Sequence, residues 1–491
     1  MMKLQMYING EWKESSDKAV RDIINPANGE VIAQAAEGTL EDAEAAIKAA
    51  REAFDSGIWS DLTAAERAGY LFKIADKLEE HHEELVELEV MDNGKTRAEA
   101  EFDMEDAAAC FRYYAGLITK PAGETFDVPD PNIHSMVVRE PVGVAGLVVP
   151  WNFPMLMSVW KIAPALAAGN TIVFKPAEIT PITAVKVFEI MEQVGIPAGA
   201  ANMILGDGRV VGQAVAESHD VDAISFTGST QTGRKIMQAA TGNLKKISLE
   251  LGGKSPNIIF DDVDLEIAVD QALFGIFLGA GQVCVAGSRI LVQEGLYDRF
   301  VERFVERAKK IKVGPGNEEG VEMGAIVSET QMNNILNYIK IGQEEGAVLA
   351  AGGKRIMDRG LDKGFFIEPT VFTGVTQDMR IVQEEIFGPV VTIQKFKDEK
   401  EAIELANDVD YGLAGSVFTN DGARALRVIK KLRAGITWVN IYHPAFVEAP
   451  WGGYKQSGIG RGLGTYGLED FQEVKQININ LNPGMAGWFK D

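Results

Sequence analysis

An α/β architecture, with a doubly wound first domain, a second α/β domain and a small β arm, is predicted by three observations. Short apolar runs alternate with helical segments from 144 to 250, a second alternating stretch follows from 257 to 440, and residues 474–482 alternate with period two. Strands interleaved with helices imply βαβ units and a parallel sheet with helices on both faces.

Residues 40–115 read as helices, because DAEAAIKAAREAF and RAGYLFKIADKLEEHHEELVELE place apolar residues three and four apart between charges. TKPAGETFDVPDPNIHSMVVRE (119–140), with three prolines and an alternating end, reads as a loop and then an extended excursion. Strands are expected at VAGLVV (144–149), TIVF (171–174), ANMIL (201–205), DAISF (222–226) and KISLE (246–250), with helices near 155–168 and 182–194, a short helix between ANMIL and DAISF, and a helix from about 231. The second unit offers NIIF (257–260), RILV (289–292), FFIEPTVF (365–372), VVTIQKF (390–396) and GITWVN (435–440), with helices at 296–311 and 398–407. VKQININLN (474–482) reads as a strand reaching toward the 125–140 excursion or another subunit. The expected limits are 1–120 and 142–252 for the first domain, 253–455 for the second, and 121–141 with 465–491 for the arm.

The 491 residues suffice for about three domains and a large core. With 46% hydrophobic and 24% charged residues, the composition is that of a globular enzyme and excludes disorder as the main theme. Asp and Glu number 71 against 48 Lys and Arg, so the net charge of −23 repels phosphate backbones and no nucleic-acid partner is expected. Cys110 and Cys284 are too few for a disulfide framework and fit a reducing compartment. The opening MMKLQMYINGEW does not read as a signal peptide, and the longest apolar stretch, Val142 to Trp151, is half the length a bilayer requires. A cytoplasmic location without a membrane partner is expected. His81, His82, His134, His219 and His443 show no metal-ligand spacing, so no metal is expected.

Gly228-Ser-Thr-Gln-Thr-Gly233 follows the strand DAISFT and opens a helix, where glycines let a backbone approach a phosphate and the helix N-terminus receives its charge. A plain strand-to-helix turn accounts for it equally well. Lys175 and Glu178 close TIVF, and ligands of such sheets sit beyond strand C-termini; a ribose pair and a solvated surface pair both remain open. A carboxylate there would repel a 2′-phosphate and favour NAD over NADP. Cys284 lies among small residues in AGQVCVAG, either as a nucleophile or as a small buried hydrophobe. Cys110, in AAAC on an amphipathic helix, fits the buried reading. Glu250 ends KISLE and runs into Leu251, Gly252 and Gly253, which leave room for a ligand. Pro150 and Pro154 fix the backbone around Asn152, whose amide can donate to a developing oxyanion or serve a structural turn.

Together these pieces resemble the aldehyde dehydrogenase superfamily over nearly the whole chain, through PWNFP (150–154), KPAE (175–178), FTGST (226–230), LELGGKSP (249–256), GQVCVAG (281–287), EEIFGP (384–389) and PWGGYKQSGIGRG (450–462). The resemblance implies a dinucleotide-binding first domain, a catalytic second domain and an oligomerisation arm, with NAD as cofactor, an aldehyde as substrate and a homo-oligomer as the assembly. It makes Cys284 the nucleophile, Glu250 the general base, Asn152 with the Cys284 N–H the oxyanion hole, and Lys161 a proton relay. Pro150, Trp151, Lys175, Glu178, Gly228, Ser229, Gly233, Leu251, Gly252, Glu385 and Phe387 would hold the cofactor. Attack by the thiol would give a thiohemiacetal, hydride loss a thioester, and Glu250-assisted water the free acid. Glu250 and a helix-end field are expected to activate the thiol.

Two departures stand out. Many relatives carry GREL near the C-terminus, where this chain reads Gly460-Arg461-Gly462-Leu463; Gly462 relays no proton, so thioester hydrolysis would be slower here or routed through Lys161 and water. Glu473 is expected to pair with Arg461 and Lys246 of its own or a neighbouring subunit. The nearest resemblance is to the betaine-aldehyde branch, whose aromatic box suits a quaternary ammonium. Here Phe153, Trp160, Leu278 and Trp451 occupy the box, with Val283 and Val285 flanking the thiol and Ala445 after His-Pro. The incomplete box favours a broad aliphatic or aromatic aldehyde, then betaine aldehyde, then a semialdehyde. A CoA-acylating enzyme and a non-catalytic binding protein of the same fold are the competing classes.

Overall fold

The computed structural model describes residues 1–120 and 123–489; residues 121–122 and 490–491, at the start and end of the expected arm segments, lie outside the described residues. An eight-stranded sheet runs in the order 458–459, 246–250, 223–227, 144–148, 171–175, 201–203, 6–8, 11–13. Its five central strands are parallel and its edge strands antiparallel. Val144–Val148, Thr171–Lys175 and Ala223–Thr227 are buried throughout, as strands covered on both faces must be, which explains their unbroken apolar character. Strand Val144–Val148 comes first of the five in the chain yet lies between Ala223–Thr227 and Thr171–Lys175, so the order reverses there. Crevices beyond the strand C-termini at such a reversal are where open α/β sheets bind ligands. Residues 150–154 and 228–233 emerge at that point.

A seven-stranded sheet, ordered 348–351, 370–373, 390–396, 289–293, 256–259, 414–418, 436–439, forms the second lobe. All its neighbours are parallel except the edge strand Val348–Ala351. The expected strand 365–372 is a correction: only Thr370–Thr373 is strand. Pro369 has no N–H for a ladder, and the Phe365 N–H instead donates to the Pro26 carbonyl at 2.9 Å.

The third sheet pairs Gln472–Asn480 with Ile133–Pro141 over nine residues, antiparallel, with Glu124–Phe126 beyond. The 474–482 segment thus meets the 125–140 excursion of its own chain. Sequence patterning did not reveal the N-terminal strands Met2–Leu4, Val20–Ile24 and Val31–Ala36, which form a small sheet. Four helices span 40–117, and three of them start in Thr-x-x-Asp/Glu boxes at Thr39, Thr63 and Thr96.

Candidate active site

Three loops converge on Cys284. The first is its own: Gly279, Ala280 and Gly281 take φ of 59°, 52° and 70°, a left-handed run that Ala280 tolerates only because its surroundings enforce it. A β-carbon on Gly281 would lie 2.1 Å from the Gly388 carbonyl oxygen, so glycine is required where this loop crosses residues 387–389. Gln282 staples the loop from beneath, its Nε2 donating to Gly279 O at 3.1 Å and its Oε1 accepting from Val327 N–H at 3.0 Å. From the second loop, buried Asn152 donates through Nδ2 to the Gln282 carbonyl at 2.9 Å. The third follows Glu250: a β-carbon on Gly253 would stand 2.4 Å from the Cys284 carbonyl oxygen. Gly253→Ala is therefore expected to push the two backbones apart, costing about 1–3 kcal/mol of stability. Thermal unfolding and turnover, measured on one preparation, should fall together.

Cys284 is free and partly exposed, whereas Cys110 is buried. Burial pushes the Cys284 thiol up to about 12, and the charges of Glu250 and Glu385 add to the rise. This corrects the helix-end half of the expected activation: no helix begins at Cys284, the next regular element being the strand Arg289–Gln293. Burial and the two carboxylates favour the neutral thiol, so what remains of the expectation is a base that takes the proton at the moment of attack. Glu250 is itself raised by burial, against the Lys161 charge and the Gly462 N–H. Burial lowers Lys161, while Glu250 and Asp470 oppose it, and its Nζ meets the Ser225 hydroxyl at 2.9 Å.

On the other side lies a cradle that fits a dinucleotide. The Gly228 N–H donates to the Glu250 carbonyl at 3.0 Å, tying the turn after one strand to the end of its neighbour. Ser229 caps the helix Thr230–Ala239, its hydroxyl accepting from Thr232 N–H at 3.3 Å. A β-carbon on Gly233 would touch Leu251 at 2.6 Å, and one on Gly252 would meet Glu385 Oε2 at 2.1 Å. Glu385 accepts from Gly253 N–H at 2.9 Å. The Phe387 ring lies edge-on to Trp151, which follows Pro150, with centroids 5.2 Å apart, and φ of 58° at Phe387 aims it there. At the far strand end Lys175 Nζ and Glu178 pair at 2.9 Å. Burial works to raise Glu178, but the Lys175 charge and hydrogen bond outweigh it and leave the carboxylate below its ordinary value. The wide turn Gly208–Gly212 and the helix Gln213–Glu217 that continues it occupy the place of the short helix expected between ANMIL and DAISF; a β-carbon on Gly208 would sit 3.6 Å from Lys175 Nζ.

Trp160 and Trp451 pack edge to face at 5.5 Å, and Trp160 Nε1 donates to Asp106 at 2.8 Å. Lys95 Nζ lies 4.4 Å from the centre of the Phe153 ring, held there by buried Glu89 and Asp103. Leu278 is partly buried beside this loop. Val283 lines a small cavity with Gly253, Glu385 and Phe387, on the cradle side. Val285 is buried, and its carbonyl accepts from the Tyr442 hydroxyl at 2.9 Å. Asp106, Lys95 and Ser225 were missed, since only the folded chain brings them to the site. The expected pairing of Glu473 is corrected within the chain. Lys246 donates to the Glu469 and Gln472 carbonyls at 3.0 and 2.9 Å and Arg461 to those of Gly453 and Gly460 at 3.1 and 2.6 Å, and among the described residues Glu473 joins no ion pair.

Fold and site together define a two-lobed α/β enzyme class in which a thiol and a carboxylate face a glycine-lined cradle at a sheet reversal. Residues 12–477 match the model of the "Aldehyde dehydrogenase family". A betaine aldehyde dehydrogenase of Bacillus subtilis is 53% identical over 99% of this chain and 100% of its own length. An aldehyde dehydrogenase of Emericella nidulans is 48% identical over 98% and 96%. A betaine aldehyde dehydrogenase from Staphylococcus aureus, crystallised with NAD+, superposes with a TM-score of 0.99 at 53% identity, over 100% of this chain and 97% of that one. The chain belongs to the aldehyde dehydrogenase family. Among the described residues, no helix is long and apolar enough to cross a membrane.

Proposed function

We propose that the protein oxidises an aldehyde to its carboxylic acid with NAD+ as hydride acceptor, through a thiohemiacetal and a thioester on Cys284. The observation that carries this reading is the convergence of the Asn152, Glu250–Gly253 and Cys284 loops, joined by the 2.9 Å bond from Asn152 to Gln282 and the backbone contact of Gly253 with residue 284. Lys175 and Glu178 would hold the adenosine ribose, Gly228, Ser229 and Gly233 the pyrophosphate, and Glu385 the second ribose. Pro150, Trp151, Leu251, Gly252 and Phe387 would form the walls. When bound, the dinucleotide supplies the two-electron acceptor that turns the thiohemiacetal into the thioester. Cys284 attacks the carbonyl carbon once its proton has left toward Glu250. Asn152 and the Cys284 N–H receive the charge that builds on oxygen, a contribution of about 3–4 kcal/mol per donor. Once Glu250 has passed the thiol proton on to solvent, it takes another from the water that cleaves the thioester.

The first lobe and the helices 40–117 would bind the cofactor, residues 253–455 would carry the thiol, and the arm sheet would join copies into a homo-oligomer in the cytoplasm. Phe153, Trp160, Leu278, Val285 and Trp451 would line the aldehyde site, with Val283 nearer the cofactor. A broad aliphatic or aromatic aldehyde suits the apolar lining. A quaternary ammonium aldehyde is the second reading, favoured by Asp106 behind Trp160 and by the activities named for the relatives. Turnover of propanal, benzaldehyde and betaine aldehyde, with NADH and products measured, tests both levels. Free acid without coenzyme A supports the hydrolytic reading, acyl-CoA overturns it, and silence across the panel returns the chain to a binding role. Glu178→Ala is expected to raise KM for NAD+ and narrow the preference over NADP+ by about tenfold, read from kcat/KM with each cofactor.

A further inference from the structure

We propose that Asp470 is the outlet for the proton that Glu250 takes from the hydrolytic water, reached through the space that Gly462 leaves open; this rests on the hydrolytic reading above. A cavity of ≈ 20 Å³, room for one water, is lined by Lys161, Ser225, Thr227, Glu250, Gly462 and Asp470 among others. A β-carbon at 462 would stand 2.5 Å from Glu250 Oε1, so a side chain there would fill the space facing the carboxylate. The Thr227 hydroxyl and the Tyr114 hydroxyl, the latter beside the lining residue Gly467, are buried without a hydrogen-bond partner among the described residues, and water in the cavity would satisfy such groups. A second, open groove of ≈ 470 Å³ borders Lys246, Arg461, Glu469, Asp470 and Glu473. Among the described residues only Arg461 and Asp470 line both spaces, and a guanidinium does not give up its proton.

Asp470 is built into this position from several elements. Its Oδ2 accepts from Ser248 Oγ at 2.8 Å. Burial raises its carboxyl, against the Ser248 hydroxyl, the Lys246 charge, the Arg461 N–H and the Lys161 charge, and Glu250 and Tyr114 share these surroundings. In the deacylation step the water oxygen adds to the thioester carbon while one of its protons passes to Glu250, and the C–S bond breaks with its electron pair on sulfur, which takes the proton of the newly formed carboxylic acid and returns to the neutral thiol. The proton then moves through cavity water to the Asp470 carboxylate and into the groove, restoring Glu250. Asp470 touches no reacting atom, and so acts as a positioning residue through Glu250.

Stopped-flow NADH formation by the full chain, with NAD+ and the aldehyde the unaltered protein turns over fastest, tests this. Asp470→Asn should keep a burst of one NADH per site at the unaltered rate, then run about tenfold slower, while Asp470→Glu recovers most of the steady rate. If Asp470→Asn leaves the steady rate and its pH profile unchanged, or lowers burst and steady rate in parallel, the proposal fails. Ser248→Ala offers a second measurement that keeps the carboxylate. Losing a donor to the ionised form should move the acid limb of the steady rate to higher pH with the burst intact, and an unmoved limb overturns the assignment. Absence of any NADH from the unaltered protein would sink the hydrolytic reading itself, and would show before any variant is compared.

Discussion

Cys284→Ala is expected to remove NADH formation with every aldehyde, a loss of at least about 10³-fold in kcat/KM, because no other group at the site can form the covalent adduct. Cys110 cannot substitute for it, being fully buried in its helix. The fold should survive, since the loop is held by Gln282, Gly281 and Asn152 rather than by the thiol. A Tm within about 2 °C of the unaltered protein together with full loss of turnover is the expected pair of measurements. Retained turnover would mean another nucleophile. The raised thiol adds a pH dependence with a definite sign. With burial and two carboxylates holding it at about 12, the thiolate fraction grows with every step of pH below that value. Alkylation of the cofactor-free protein by iodoacetamide should therefore climb steadily from about pH 6 to pH 9 without a plateau. NAD+ should accelerate it at fixed pH, because its positive ring favours the thiolate.

Glu250→Gln is expected to separate the two halves of the reaction. Steady turnover should drop by about 10²–10⁴-fold, the range of a lost general base, while a single burst of NADH, itself slowed because the thiol loses the same base, marks acylation and hydride loss. Mass spectrometry of the quenched protein should find the acyl group on Cys284. Added coenzyme A should leave the rate low, and rescue by it would instead favour the acylating class. A steady rate equal to that of the unaltered protein would remove Glu250 from the role of base.

Much of this site was legible in the linear chain, for a physical reason. The strand ends at Val148, Lys175, Thr227 and Glu250 are followed at once by their functional residues, so local pattern placed Asn152, Glu178, Ser229 and Gly252 beyond a parallel sheet. Cys284 was ambiguous by itself, because a thiol among small residues looks the same whether it packs or reacts. The upward push on the thiol was not legible, since it comes from burial and from two carboxylates 34 and 101 positions away in sequence. Glu385 meets Gly252 only after the two lobes close on each other, and Asp106 reaches Trp160 only because two helices pack together.

Composition and periodicity determined the two-lobed α/β plan and the order of its main strands along the chain, and the resemblance of its motifs to the aldehyde dehydrogenases singled out the small set of residues able to do chemistry. These follow from burial of apolar faces and from backbone rules that act over a few residues. Strand order across each sheet, the contact of Gly253 with the backbone of residue 284, the neutral thiol and the space beside Gly462 were decided only by the tertiary structure. They arise where segments far apart in the chain exclude water from one another, and short-range sequence pattern carries no measure of that.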